Sequence, residues 1–230
     1  VGADNLRGTW VQYAFLALTL ITVFMGSMLA FKEQILKKRL AYSTVSQVSY
    51  VLFGIALLHP VALIGSLLHI VYHSVLKCTL FLNAGAIIYK TGKTKVGELC
   101  GIGKEMPVAL WTYTVASLGL IGIPPICGFI SKWYLCVGAL EAGVGITAYL
   151  GPAVLLVSAL LTAGYLLPIT IKGFFPGESY DYAVLEKKEP NILMLAPLIV
   201  FAAAAVFLGM FPNALANLFT EAVGLLHLLP

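Results

Sequence analysis

Charge is what this 230-residue sequence has least of. Asp, Glu, Lys and Arg make up 10% of it, against about a quarter of an ordinary soluble domain. So few charges cannot clothe a water-facing surface, which excludes a soluble globular chain. Acids are scarcer than bases: there are ten, none at the centre of an apolar run, with Glu141 at the end of one. Four cysteines, Cys78, Cys100, Cys127 and Cys136, show neither a Cys-x-x-Cys pair nor zinc-ligand spacing. They read as reduced structural thiols, and no metal or cofactor is expected. The apolar runs do not alternate, which argues against a β-barrel. The net charge of +4 comes from bases gathered near the ends of apolar runs, with no groove-like pattern, so nucleic acid is not an expected partner. The chain opens on Val1-Gly-Ala-Asp-Asn without a signal peptide or an initiator methionine, which suggests the C-terminal part of something longer.

What remains is strongly apolar. Hydrophobic residues are 60% of the chain and the mean hydropathy is +0.96. They lie in runs of about 20 residues, the length of a membrane-spanning helix. The expected fold is an all-α integral membrane protein, one transmembrane domain over residues 1–230. The first span covers about Thr9 to Phe31, with Trp10 and Tyr13 at its interfacial end. The second opens at Leu40 and runs to about Leu58, with Ser43, Thr44, Ser46, Gln47 and Ser49 as a polar beginning suited to close packing or a hydrated half-channel. His59-Pro60 turns into the third, Val61 to Tyr89.

The fourth segment, about Met106 to Ala142, is too long for one ordinary crossing. Gly122, Pro124, Pro125 and Gly128 interrupt it, since two prolines remove two backbone donors and the glycines remove steric restraint. A fifth span covers about Thr147 to Ile171 and a sixth about Asn191 to Phe211. The tail after Pro212, with Glu221 and His227, is another crossing, a half-helix or an interfacial helix. Lys and Arg cluster at 32–39, 90–104 and 172–189. These three loops share a side only if the proline-broken segment counts as one crossing. The positive-inside rule therefore favours one long broken helix and a cytoplasmic face for all three.

His69, His73 and Lys77 recur at i, i+4 and i+8 in the third span, so they stack along one helix face. A rise of ~1.5 Å per residue separates neighbours by ~6 Å. Lys77 lies near mid-span. Its side chain reaches roughly 6 Å, whereas the interface is ~15 Å away, so it cannot snorkel and needs a partner inside the protein. A histidine alone on an apolar helix is usually a packing residue; sharing a face with Lys77 shifts the reading toward an ion path. Lys132 follows the break, where unpaired backbone groups often surround an ion site. Neighbouring groups on this face are too far apart for direct hydrogen bonds, so bridging waters are expected.

Three stretches carry a resemblance: Lys38-Arg-Leu-Ala-Tyr-Ser-Thr-Val-Ser-Gln47, the His69/His73/Lys77 triplet followed by Cys-Thr-Leu-Phe-Leu-Asn-Ala-Gly85, and Gly122-Ile-Pro-Pro125-Ile-Cys-Gly-Phe-Ile-Ser-Lys132. In this order they resemble the antiporter-like proton-translocating subunits shared by respiratory complex I, Mrp-type sodium/proton antiporters and membrane-bound hydrogenases. The likeness covers about Phe15 to Lys172. It implies that residues 8–172 form the second of two inverted repeats, with 173–230 a C-terminal loop, helix and tail. The first repeat is expected elsewhere, on a longer chain or a separate polypeptide. It also implies a relay through His69, His73 and Lys77, with Lys132 as the titratable residue of the second broken helix and the outer end of the path. In that arrangement Lys77 stands between His73 on one side and Lys132 on the other, and Lys38 lies near the cytoplasmic input. Trp133-Tyr134 departs from branches that carry an acid after that lysine.

The function implied is movement of protons, with sodium left open, by a subunit of a multi-subunit complex in the cell membrane. Its partners are the other membrane subunits and the bilayer. The host complex would be an NADH:quinone oxidoreductase, a hydrogenase or an antiporter, with this chain as the non-redox transport part. The rivals are a quinone-associated subunit and a purely structural one. Haem suits the sequence poorly, because both histidines stand on one helix face.

Overall fold

A computed structural model describes residues 3–177 and 186–225, and in it the chain is a bundle of helices. A short helix, α1 (Ala3–Leu6), leads into α2 (Trp10–Lys32), α3 (Leu36–Ala56) and α4 (Pro60–Thr91). A 3-10 turn at Val96–Leu99 and the short α5 (Ile102–Glu105) precede α6 (Pro107–Ile121) and α7 (Gly128–Ala142). The chain continues through α8 (Thr147–Phe174), α9 (Ile192–Met210) and α10 (Asn213–Leu225). His227 and residues 178–185 of the last basic loop lie outside the described residues.

Four of these helices, α2, α4, α8 and α9, are long and apolar enough to cross a membrane. The third, α3, is long enough at 21 residues but more polar. It runs antiparallel to α2 along its whole length. Gln12 donates to the carbonyl of Ala56 at one end, and Ser27 pairs with Ser46 at 2.8 Å toward the other. At Gly26 a Cβ would meet the Ser46 backbone nitrogen at 2.8 Å, so only a glycine lets the two backbones come this close.

The halves α6 and α7, of 15 residues each, are too short to cross alone. Together they run antiparallel to α4, whose 32 residues extend about 48 Å. Down that line Ala62 meets Gly138, Gly65 meets Leu135, His69 meets Ser131, Leu76 meets both Gly119 and Gly128, and Asn83 bonds Thr112. The partner number falls steadily across the break, so α6 and α7 make one crossing with an interruption half-way.

The break at 122–127 leaves main-chain groups that need partners in an apolar surrounding. Gly122, at φ +98 in the left-handed region, ends α6 by bonding the carbonyl of Leu118, and so does Ile123. The amide of Cys127 bonds the carbonyl of Ala205 in α9. Gly209 packs so closely against Pro125 and Cys127 that a side chain would not fit. Thus α9 starts at one end of the bundle and reaches its middle, where it seals the break.

The basic loops meet at one end. The amide of Leu36 bonds Thr94, that of Val96 bonds Gln34, that of Gly101 bonds Lys172 and that of Lys188 bonds Glu105. The opposite end gathers Arg7, which donates to the carbonyl of Leu58, and the facing pair His59 and Glu141, 4.0 Å apart. Burial pushes the His59 imidazole below its ordinary value, with Glu141 opposing that shift.

Candidate functional site

Four basic side chains of the bundle interior lie in one file across the middle of α4. Lys77, 6% exposed, donates to the carbonyl of Leu40 in α3 at 2.9 Å. One turn back is His73, and its ring stacks on that of His69 at 6.1 Å between centroids and 12° between planes. His69, 2% exposed, bonds Ser131 of α7 through Nδ1 at 2.8 Å and stacks on Tyr50 of α3 at 5.4 Å. The Nζ of Lys132 lies over the other part of this assembly, 5.4 Å from the Tyr50 ring centroid.

Lys132 is held by the break itself. Its ammonium donates to the carbonyls of Leu120 at 2.7 Å and Ile121 at 2.8 Å, the last residues of α6. These carbonyls have no partner within the helix, and the C-terminus of a helix carries partial negative charge. Interrupting α6 thus makes a seat for a cation without using an acid. Lys77 has a single neutral carbonyl, which also accepts from Thr44 Oγ1 at 3.0 Å.

Among the described residues no acid joins this file. The ion pairs among the described residues, His59–Glu141, Lys93–Glu105 and Lys188–Glu186, all stand at helix ends or in loops. No group of three or more His, Cys, Asp or Glu side chains among the described residues could hold a metal ion.

Four of the five candidate residues, Lys77, His73, His69 and Lys132, are therefore brought together. Their order differs from expectation. Lys132 neighbours His69 and Tyr50, so the histidine pair separates the two lysines, and Lys77 does not stand between His73 and Lys132. The reason is the antiparallel register of α4 and α7, which sets Ser131 opposite His69, two turns from Lys77. Lys38 is not part of the file: it is exposed at the basic end.

The residue that turns inward there is its neighbour Arg39, 5% exposed, donating to the carbonyls of Glu33 and Tyr165 at 2.8 Å each. Sequence reasoning groups Arg39 with the loop charges, although its place on the same helix face as Ser43 and Gln47 is a legible signal. The Tyr165 hydroxyl in turn donates to Ser43 at 2.7 Å. Further along, Gln47, His69 and His73 keep buried polar atoms without a protein partner, as do Tyr113 and Ser117 of α6. Such atoms are where ordered water belongs.

The family described as NADH:quinone oxidoreductase/Mrp antiporter, transmembrane, matches residues 4–162. The chain belongs to this family. NADH-quinone oxidoreductase subunit N of Desulforudis audaxviator is 38% identical over 199 residues, 82% of this chain and 39% of that protein. F(420)H(2) dehydrogenase subunit N of Methanosarcina mazei is 30% identical over 226 residues, 94% of this chain and 44% of that protein. A subunit in the solved Mrp complex of a Dietzia species superposes with a TM-score of 0.81 at 25% identity, covering 95% of this chain and 47% of its own. The chain thus spans less than half the length of these members of the NADH:quinone oxidoreductase/Mrp antiporter family.

Proposed function

We propose that this chain translocates protons as a non-redox transport part of a multi-subunit membrane complex, along Lys77, His73, His69 and Lys132. On this reading residues 8–172 form one antiporter-like repeat, the three basic loops face the cytoplasm, and other membrane subunits are the partners. The observation that carries the reading is two lysines at the middle of the bundle, bonded only to carbonyls and joined by a stacked histidine pair. Amines and imidazoles without a fixed counter-ion can each take up and return one proton, and water can bridge the gaps between them. Arg39, Tyr165 and Ser43 lead from the basic end to the Lys77 side, and Lys132 beside the break lies toward the other.

Protons are favoured over sodium by the chemistry of the file. A sodium site needs several oxygen ligands and usually a carboxylate, whereas this interior presents ammonium and imidazole groups. The test is Lys77→Met in the full-length protein within its complex, reconstituted in vesicles with a pH-sensitive dye. Methionine keeps the length of the side chain and removes its proton-carrying group. Proton movement is expected to vanish while assembly stays intact. Wild-type transport by the assembled variant would overturn the proposal.

A further inference from the structure

We infer that Gln47 is a positioning residue of this file, its carboxamide setting which nitrogen of His69 and His73 carries a proton. The inference rests on the relay reading above and adds to it a residue that does not itself carry protons along the path.

Gln47 is fully buried, and neither end of its amide has a partner, although an amide has two donors and an acceptor to satisfy. Orphaned groups of this kind are uncommon in a protein interior and call for an explanation. The Nε2 atoms of His69 and His73 are also without a partner.

The register of α3 against α4 brings these residues to one level. Leu40 meets Lys77, Tyr50 meets His69, Val51 accepts from Ser66, and Gly54 packs against Ser66 and Ala62. As the α3 number rises the α4 number falls in step, which places Gln47 opposite residues 70–72, in the window between His69 and His73. Gln47 lies on the same face of α3 as Leu40, Ser43 and Tyr50, all of which reach α4 or α8. The titratable groups around this window include His69, Tyr72, His73 and Lys77 from α4, Tyr50 from α3, Tyr165 from α8 and Lys132 from α7.

His69 supplies the asymmetry. Its Nδ1 bonds Ser131 Oγ, and that hydroxyl can also donate to the carbonyl of Gly128 at 3.3 Å. When Ser131 donates there, Nδ1 of His69 bears the proton and Nε2 is an acceptor. Through a bridging water on each side, an amide in the window then directs a donor toward His69 Nε2 and presents an acceptor toward His73 Nε2, ordering the two rings in opposite senses. Turning the amide over exchanges its donor and acceptor ends and resets the pair after a proton has passed. An apolar side chain of the same shape would fill the space and do neither.

The experiment compares Gln47→Met, Gln47→His and Lys77→Met in the assembled complex in vesicles, with 15N spectra of the histidine rings. Gln47→Met is expected to assemble, since it replaces an unpartnered amide by an apolar isostere. Its transport should fall about 10–100-fold, the loss expected when a reacting group is misplaced, and the His69 and His73 tautomer signals should change. Gln47→His, which keeps a donor and an acceptor, should recover a large part of the transport. Wild-type transport and unchanged ring signals in assembled Gln47→Met, with Lys77→Met inactive, overturn the role of Gln47 and leave the relay standing. Normal transport by Lys77→Met overturns the relay and this role with it. If Gln47→Met does not assemble, Gln47→Asn carries the test, because it retracts the amide by one methylene. Normal transport by that variant likewise overturns the inference.

Discussion

Lys77 donates to the main-chain carbonyl of Leu40 at 2.9 Å, tying the middle of α4 to the second turn of α3. A neutral amine can make the same bond, so the contact survives whether or not the lysine holds its extra proton. This distinguishes a site for exchange from a site for a permanent charge. A Lys77→Arg variant keeps the cation and cannot release it, because guanidinium does not deprotonate in proteins. Proton movement in vesicles is expected to fall by about 100-fold or more, the scale of removing a proton-transfer group. Transport near the wild-type level would mean that the charge alone suffices.

At the basic end, burial separates two adjacent bases. Arg39 spans the carbonyls of Glu33 and Tyr165 and is buried, whereas Lys38 points away from the bundle. Replacing Arg39 by Met removes two charge-assisted hydrogen bonds, an expected loss of about 2–4 kcal/mol. Replacing Lys38 by Met should change stability by no more than about 0.5 kcal/mol. Thermal unfolding of the two variants in detergent checks the contrast, and equal effects would contradict it.

The contrast between Lys38 and Arg39 also marks where sequence reading stops. Apolar runs and the Pro124-Pro125 break are local properties, and α2, α4, α6, α7 and α9 lie where the runs and the break put them. Sequence reasoning starts α3 four residues late, because Leu36-Lys-Lys-Arg39 has the charge of a loop. In the fold Arg39 finds two carbonyls, one of them 126 positions away. Ser27 and Ser158, bonded at 2.6 Å, are 131 apart. Such pairings depend on which helices lie side by side, and the spacing of residues along one helix does not say that. The i, i+4, i+8 stack is therefore visible in the sequence, while the insertion of the histidine pair between the two lysines is not.

The turn between α2 and α3 carries a pH dependence of its own. Glu33 accepts the amides of Ile35 and Gln34 at 2.9 Å each. The Ile35 amide first, with the Gln34 amide and the charges of Lys38 and Arg39, holds this carboxyl below its ordinary 4.5. The folded turn therefore binds the proton less readily than the unfolded chain. Its contribution is complete above about pH 4.5 and is lost as pH falls through the lowered folded value. Amide exchange at Gln34 and Ile35, corrected for its intrinsic rate, should rise as the carboxyl protonates. In Glu33→Gln that rise should disappear. A rise of equal size in the variant would assign it to another group.

The last test concerns the distance between the two halves of the broken helix. Gly128 opens α7 against Gly119 of α6, and a Cβ there would run into the Gly119 carbonyl, which is backbone and cannot swing aside. Lys132, one turn further on, reaches the carbonyls of Leu120 and Ile121 because the halves approach this closely. Gly128→Ala must push α7 outward, and overpacking of this kind costs about 1–3 kcal/mol. It should also draw the ammonium off its two carbonyls and reduce transport. Gly85, inside α4, provides the control: nothing lies within 4 Å of a Cβ added there, and an alanine should stabilise the helix by about 0.5–1 kcal/mol. Thermal stability and proton movement measured on both variants separate the loss of a seat for Lys132 from a general intolerance of added side chains. Equal outcomes at Gly128 and Gly85 would show that the close approach of α6 and α7 has no part in holding Lys132.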